Sequence, residues 1–482
     1  MPIENLRDFL RAIEARGQLL RVKEQVSPLL EITEWADRTV KRHGPALLFE
    51  NVAGSAMPVA INLFGTPERM ALALGVTDLN ELAREVEQLL LQRPPESFMD
   101  KLKLVPLLLK LADFPPRKVS GGPCQEVVLQ GENADLTALP ALKCWPGDGG
   151  RYITLPGVFT RSPAGQPNCG MYRMQIFDAR TAAMHWHMHH DGARHFREWE
   201  KLGRPMPAAV AIGGDPAVVY SATAPMPQGM DEMLLAGFIR KKPVEMTPCV
   251  SQPELHVPAQ AEIVVEGLLQ PGERRREGPF GDHTGFYSLA DDYPVFHVTA
   301  ITHRKDAIYQ TIVVGKPPME DTFLGLATER LFLPLLKLAL PEIVDYELPE
   351  FGVFHNCAFV AIRKSYPQHA RKVMHALWGL NQLMFTKLVV VVDEDVNVHD
   401  QNEVLFHLGA NCDFGRDLEL ATGPTDILDH ASRQYGWTGK LGIDATRKWK
   451  EEGFTRQWPD AIAMDPAVKE KVAAQMKRLG LL

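Results

Sequence analysis

Glu277-Gly278-Pro279-Phe280-Gly281-Asp282 carries an acid at each end of a stretch that holds two glycines and a proline. In a straight strand, positions five apart point to opposite faces and lie roughly 17 Å from each other. Gly and Pro supply the backbone angles that turns need, and a turn folds the two carboxylates towards one point. The apolar run Glu262-Ile263-Val264-Val265-Glu266-Gly267 precedes this stretch, and His283-Thr284-Gly285-Phe286-Tyr287 follows it. The hexapeptide reads as an acid pair in a turn at the end of a buried strand. Taken alone, it is equally an Asx-type turn with a solvated Glu, and the rest of the chain has to decide.

The neighbourhood is β-rich. From about residue 118, short apolar runs succeed one another, at 126–129, 152–155, 208–212, 262–265, 295–301 and 307–314, with Gly and Pro between them. This density predicts an antiparallel sheet or barrel, interrupted by one helix over about 230–240. On the N-terminal side, Leu6, Phe9, Leu10 and Ile13 recur at helical spacing before Gly17. Residues 45–50 read as a buried strand. Thr66 and Pro67 are the N-cap and first residue of a helix, and a second helix covers about 78–91. This α/β unit is interrupted by Arg93-Pro94-Pro95, and after a short apolar helix Phe114-Pro115-Pro116-Arg117 marks a boundary. On the C-terminal side, a long apolar helix over about 321–340 precedes a strand at 357–362, a helix at 369–383, a buried strand at 387–392 and a helix at 402–408. That alternation predicts an α/β domain with a parallel or mixed sheet. From about 430 the chain reads as a less regular tail with a last helix over 466–479. Three domains follow: 1–115, 116–320, and 321–482 including the linking helix.

Composition narrows the function classes. The 482 residues are 45% hydrophobic and 23% charged, ordinary for a soluble globular protein. A formal net charge of −8 does not favour nucleic acid as a partner. No apolar run reaches the length of a transmembrane helix and the N-terminus lacks a signal-peptide pattern, so a cytoplasmic protein is expected. The six cysteines are scattered with no CxxC pair, against a zinc ribbon or disulfide framework. There is no Walker A, GxGxxG or GxSxG motif, which weakens the ATPase, dehydrogenase and hydrolase readings.

Further stretches carry chemistry. Asn168-Cys169-Gly170-Met171-Tyr172-Arg173 ends in a guanidinium, which stays charged and holds carboxylates in a planar fork. An Arg between two acids keeps at least one ionised, while two adjacent acids share a proton. In Met184-His185-Trp186-His187-Met188-His189-His190-Asp191, a strand would put His185, His187 and His189 on one face, where they could bind zinc. Nearby Asn168 and Glu232 instead suit a hard, oxygen-preferring ion with one His among its ligands; packed or hydrogen-bonded histidines without metal are the plainer reading. Asp231-Glu232 also fits ordinary capping of a helix start. Lys387 opens a Val-rich strand and either meets a phosphate or is a solvated strand end.

Together these stretches resemble the UbiD family of prenylated-flavin-dependent decarboxylases. The likeness covers nearly the whole chain: Asn5-Leu6-Arg7-Asp8-Phe9-Leu10, residues 30–34, 44–51 and 62–67, Cys144-Trp145-Pro146, residues 277–285, Gly315-Lys316-Pro317-Pro318, Thr386-Lys387 and Asp393-Glu394-Asp395-Val396-Asn397. The resemblance implies an α/β multidomain fold: an N-terminal α/β domain, a central split β-barrel of flavin-reductase type, and a C-terminal α/β dimerisation domain joined by the long helix. It implies a homodimer or homohexamer. It assigns Arg173, Glu277 and Asp282 as the catalytic trio, and Asn168, His189 and Glu232 as ligands of a divalent metal (Mn²⁺ or Mg²⁺) that grips the cofactor phosphate. Met171, Tyr172 and Lys387 join Asn168, Arg173, His189 and Glu232 in cofactor binding. Potassium and prenylated FMN, supplied by a flavin prenyltransferase, complete the set, and the roles of His185, His187 and His190 stay open. The implied reaction is reversible non-oxidative decarboxylation of an aromatic acid of 4-hydroxybenzoate type, with or without a polyprenyl chain, in ubiquinone or menaquinone biosynthesis. Other phenolic, heteroaromatic or acrylic acids are the alternative. Asp282 is expected to be the proton donor, which calls for a carboxyl pKa raised by burial and by Glu277. A histidine-based zinc hydrolase and a non-catalytic flavin-binding protein are the competing classes.

Overall fold

The computed structural model describes residues 3–91, 110, 113–227 and 229–481. Its centre is a curled nine-stranded sheet. The strand order is Arg151–Ile153, Met174–Ile176, Thr181–Met184, Asp291–His303, Ile263–Glu277, Met206–Ile212, Pro156–Arg161 and Pro167–Met171, with Val127–Gln130 added on Asp291–His303. Every pairing in it is antiparallel. This is the expected split barrel, within a mixed α/β multidomain chain.

The two longest strands differ from the sequence reading in an instructive way. The apolar signal stops at Val265, yet the strand continues to Glu277, antiparallel to Asp291–His303 with register shifts after Glu266 and Leu269. Residues 270–276 are polar and hold Pro271 and Gly272, so they read as loop; the partner strand carries them as an outer extension of the sheet. At Gly267 a Cβ would lie 2.3 Å from the His297 carbonyl oxygen, so only glycine allows that close approach. The run at 307–314 is a strand only at Tyr309–Gln310. It pairs in parallel with Val59–Ile61 and becomes the fourth strand of the N-terminal sheet, after Leu19–Val22, Ala46–Phe49 and Val59–Ile61.

The N-terminal unit follows its sequence signals. Helix Leu6–Glu14 buries Leu6, Phe9, Leu10 and Ile13, and the Asn5 side chain accepts from the Asp8 N–H. Thr66 caps Pro67–Ala73 by accepting from Arg69 N–H at 3.2 Å. Arg93-Pro94-Pro95 and nearly all of the segment up to Asp113 fall outside the described residues.

Helix Glu320–Ala339 joins two cores. Phe323, Leu324, Ala327 and Leu331 pack into the apolar cluster shared by the N-terminal unit and the barrel, whereas Leu333, Leu336 and Leu340 pack into a separate C-terminal cluster. The C-terminal sheet is mixed, in the order Ile343–Glu347, Cys357–Ile362, Leu388–Asp393, Trp437–Asp444 and Leu418–Pro424. Its central strand buries Val389, Val390, Val391 and Val392. Two expectations need correction here. The helix expected over 369–383 ends at Trp378, and a 3₁₀ turn, Asn381–Phe385, follows Gly379. The region after 430 is not simply an irregular tail: Trp437–Asp444 is an inner strand, parallel to Leu388–Asp393. Glycines at 439 and 442 dilute its apolar pattern, and at Gly442 a Cβ would lie 2.4 Å from the Met374 sulfur, so the bare backbone lets the methionine of helix His369–Trp378 pack closely on the strand. Among the described residues, no helix is long and apolar enough to cross a membrane.

Candidate active site

The acidic turn sits where the longest barrel strand stops. Glu277 is its last residue; Phe280–Gly281 then pairs with Tyr287–Ser288, and Asp282 follows. Gly278 takes φ 92°, a conformation that favours glycine. Gly281 faces the Trp145 indole so closely that a Cβ would lie 2.1 Å from the ring. The Gly281 N–H donates to buried Asp148 at 2.8 Å, and the other Asp148 oxygen accepts from Trp145 N–H at 2.7 Å. The turn is thereby pinned on both sides.

Both acids are buried and converge on one guanidinium. Arg173 Nε donates to Glu277 Oε1 at 3.1 Å, Nη1 bonds the Asp282 carboxylate, and Nη2 donates to Ser288 Oγ at 3.0 Å. The guanidinium also lies 4.5 Å over the Phe280 ring. Glu277 has no exposure at all, so it is no solvated turn residue.

The charge state of Asp282 reverses the expectation. Burial would raise its carboxyl, but the Arg173 charge and the hydrogen bonds from His283 hold it well below the usual carboxylate range. The Glu277 carboxyl is also lowered against its burial, by His185 and Arg173. The sequence reading has Arg173 keep one acid of the pair ionised and burial with the neighbouring acid keep Asp282 protonated; it misses the imidazole at the next residue. His283 Nδ1 lies 2.9 Å from Asp282 Oδ1, and the His283 backbone N–H donates to the same oxygen at 2.8 Å. Burial opposes the charge of that ring, yet Asp282, joined by Asp426 and Asp321, outweighs burial and raises it to about 8.

The histidine-rich stretch does not form a strand with a three-imidazole face. The strand ends at Met184, and residues 185–190 turn into helix Asp191–Lys201, because Asp191 and the polar run after it favour a helix start. His185 Nδ1 lies 2.9 Å from Glu277 Oε2 and its Nε2 lies 2.8 Å from His187 Nε2. The His187 N–H donates to His190 Nδ1 at 3.1 Å. His189 instead faces Phe385 of the C-terminal domain, with ring centres 6.2 Å apart. Burial, with neighbouring cations and imidazoles, lowers His185, His187 and His190, the last to about 4. Three neutral imidazoles that hydrogen-bond to one another and to Glu277 form a packed support for the acid.

Asn168, Met171, Tyr172, His189 and Glu232 all line one cavity of about 450 Å³, closed on the other side by Phe354, Asn381 and Gln382 of the C-terminal domain. An adjoining chamber of about 320 Å³ shares His189, His190 and His283 and extends to His355, Met384 and Phe385. Glu232 is buried, and its carboxylate accepts from Cys169 N–H at 2.7 Å. No cationic side chain pairs with it among the described residues, and burial raises it to about 8. A buried carboxylate with no counter-charge, beside a carboxamide and an imidazole, is a donor set that fits a divalent cation. Lys387 is not brought to this cavity: its Nζ pairs with Asp429 at 2.9 Å. Among the described residues, the His, Cys, Asp and Glu groups whose ligand atoms gather within 4.8 Å are His283, His355 and Asp426, not the histidines of 185–190. His355 and Asp426 carry no local signal in the sequence. His283 could have been found from its place beside Asp282.

The buried acid–arginine cluster lies one residue from His283, which lines the cavity between barrel and C-terminal residues; an arrangement of this kind suits an enzyme, and the relatives say which class. Residues 10–89, 117–317 and 322–445 match the N-terminal, Rift-related and C-terminal domains of 3-octaprenyl-4-hydroxybenzoate carboxy-lyase, the three UbiD domains. An uncharacterized protein of Archaeoglobus fulgidus is 52% identical, with 98% of each chain covered. The UbiD-class enzyme HmfF from Pelotomaculum thermopropionicum, solved in complex with FMN, superposes with a TM-score of 0.82 at 31% identity over 98% of this chain and 99% of that one. An evolved dimeric form of HmfF was solved in complex with prFMN (TM-score 0.79, 30% identity, 97% and 98% covered). The vanillic acid decarboxylase of Sedimentibacter hydroxybenzoicus gives a TM-score of 0.87 in its closed form, at 27% identity over 99% and 98% of the two chains. The fold and these matches define a carboxy-lyase. The chain belongs to the UbiD family of aromatic-acid decarboxylases.

Proposed function

We propose that this protein decarboxylates an aromatic acid of 4-hydroxybenzoate type, with or without a polyprenyl chain, in a quinone pathway, with prenylated FMN held in the cavity between barrel and C-terminal domain. The observation that carries the reading is Arg173 forked between Glu277 and Asp282, on a chain whose residues 10–89, 117–317 and 322–445 match the three UbiD carboxy-lyase domains. Prenylated FMN, when bound, supplies the electron sink that a carbanion on an sp² carbon needs and that side chains lack. Asn168, His189 and Glu232 would hold a Mn²⁺ or Mg²⁺ ion at its phosphate, with potassium nearby. Met171 and Tyr172 would border the cofactor, and Lys387 would reach the phosphate only on leaving Asp429.

The chain's own groups then divide the work. A substrate carboxylate competes for the Arg173 guanidinium, which already serves two acids. Each contact it takes from Asp282 removes the counter-charge that keeps Asp282 ionised, and raises its proton affinity. Asp282 thus becomes an acid when substrate arrives, and it donates the proton that replaces CO₂ at the ring carbon. Glu277, fixed by His185, keeps Arg173 in place.

A second reading, a smaller phenolic acid in a degradative route, is favoured by the 320 Å³ chamber and by the vanillic acid decarboxylase among the structural neighbours. The domain limits 1–115, 116–320 and 321–482, a cytoplasmic location, a homodimer or homohexamer built through the C-terminal domain, and a flavin prenyltransferase as cofactor supplier complete the proposal. It is tested by co-expression with such a prenyltransferase, followed by the mass and absorbance of the bound cofactor and CO₂ release from a panel of phenolic acids. Prenylated flavin with CO₂ release is expected. Zinc without flavin, or flavin without release from any acid, overturns it.

A further inference from the structure

Each turnover of such a reaction consumes one proton at carbon, and Asp282 is ionised before substrate binds. The acid has to be refilled from somewhere. We propose that His283 is a positioning residue that stores this proton and hands it to Asp282, and that His355, from the C-terminal domain, holds the His283 ring in place to do so. The inference rests on the decarboxylase reading and deepens it.

The geometry places both nitrogens of one imidazole in series. Nδ1 lies 2.9 Å from Asp282 Oδ1, and Nε2 lies 2.9 Å from His355 Nε2. The ring cannot swing freely, because it stacks on Phe354 with centres 5.4 Å apart, and the His283 N–H donates to the carboxylate that its ring serves. His283 lies two residues beyond Phe280–Gly281, a short strand paired with Tyr287–Ser288 at the end of the barrel strand Ile263–Glu277, whereas His355 lies between Glu350–Gly352 and the strand Cys357–Ile362. The Asp282–His283–His355 file therefore crosses from barrel to C-terminal domain, and it exists only while the two are in contact.

The charges around the ring favour storage there. Asp282 lies on its own element; Asp321, at the start of helix Glu320–Ala339, and Asp426, beyond the strand Leu418–Pro424, also act on it. His189 and His190 line the same cavity wall, and His355 bonds to it. His355 is lowered to about 4 by burial and by His283 itself, so it accepts rather than competes for the proton. Its Nδ1 is buried with no hydrogen-bond partner among the described residues, which leaves Nε2 as its one engaged nitrogen.

The step balances. The Nδ1–H bond of the His283 imidazolium breaks and the Oδ1–H bond of Asp282 forms, leaving neutral imidazole. That O–H proton then moves to the ring carbon that lost CO₂, and Asp282 returns to carboxylate. His283 regains its proton from solvent, which reaches its partly exposed ring through the cavity it lines, so that one solvent proton is taken up for each CO₂ released.

Two measurements test this. In the wild-type protein without cofactor, the ¹⁵N resonances of His283 are followed with pH, assigned by loss in His283→Asn. Titration near pH 8, shifted below 6.5 in Asp282→Asn, is expected; a His283 already neutral at pH 7 in the wild type overturns the proposal. In the loaded enzyme, kcat is expected to fall above about pH 8. In His283→Asn, it is expected to drop by about 10² or more and lose that alkaline limb, with KM changed less than about threefold and partial rescue by added imidazole. An unchanged kcat and limb in a loaded His283→Asn enzyme overturns the proposal, and so does a wild-type limb that moves on adding EDTA, which would mean that His283, His355 and Asp426 chelate a metal instead. Wild-type CO₂ release with His283 neutral sinks this inference alone; absence of release sinks the decarboxylase reading and leaves the resonance test standing.

Discussion

Arg173 spends its guanidinium on three oxygens from three residues, Glu277, Asp282 and Ser288. A lysine has a charge but no fork, so Arg173→Lys is expected to lose at least one of these contacts and more than about tenfold in kcat/KM, while the barrel stays folded by circular dichroism. Asp282→Asn keeps the shape of the side chain and removes the proton. It is expected to retain cofactor, read by mass and absorbance, and to lose about 10²–10⁴-fold in turnover; full activity in that variant would remove Asp282 from the chemistry. Glu232→Ala acts elsewhere. It removes the buried carboxylate of the donor set, so cofactor retention on a desalting column is expected to fall while the fold persists. At this scale the sequence shows residue types and misses signs. The two acids and Arg173 were legible as a cluster, but whether burial or the neighbouring cations governs Asp282 depends on an Arg more than a hundred positions away and on which way the His283 ring turns.

Elements were legible where their signal is local. The Thr66 cap, the apolar spacing of Leu6–Glu14, the Val-rich strand Leu388–Asp393 and the long apolar helix Glu320–Ala339 carry propensity and pattern in their own residues. The outer half of Ile263–Glu277 was not legible, because its partner strand rather than its composition makes it a strand. Tyr309–Gln310 was legible as part of a strand, but not its shortness or its place, since it leaves the barrel to complete the N-terminal sheet. The histidine-rich stretch alternates as a strand would, yet the helix that starts at Asp191 ends the alternation. The acidic turn yields an element-scale prediction. Gly281→Ala sets a methyl against the Trp145 ring, whose Nε1 donates to the Val314 carbonyl at 3.0 Å and so resists moving. The variant is expected to lose about 1–3 kcal/mol of stability in denaturant unfolding, as overpacked sites do, and to lose activity out of proportion because Asp282 is the next residue.

At the scale of the molecule, the site belongs to no single domain. The barrel side supplies Arg173, Glu277 and Asp282, the C-terminal domain supplies His355 against His283 and Phe354 and Asn381 against the cavity, and helix Glu320–Ala339 packs into the core shared by N-terminal unit and barrel at one end and the C-terminal core at the other. An interdomain charge file of this kind makes the assembled state pH-sensitive. His283 has its proton affinity raised from 6.5 to about 8 in the folded state. Its folded state holds the proton more tightly than the unfolded chain does. The resulting stabilisation, about 2 kcal/mol, is complete below pH 6.5 and is lost as pH rises through about 8. Asp282 contributes nothing to that change, because a depressed carboxyl acts in the acid range, where its stabilisation disappears as pH falls. Unfolding of this multidomain chain need not be two-state, so the quantity to compare is the difference between wild type and His283→Asn at each pH. That difference is expected to be largest near pH 6 and to shrink towards zero by pH 9. A difference that stays constant from pH 6 to pH 9 would show that His283 supports the cleft through packing on Phe354 alone, with no charge crossing between the domains.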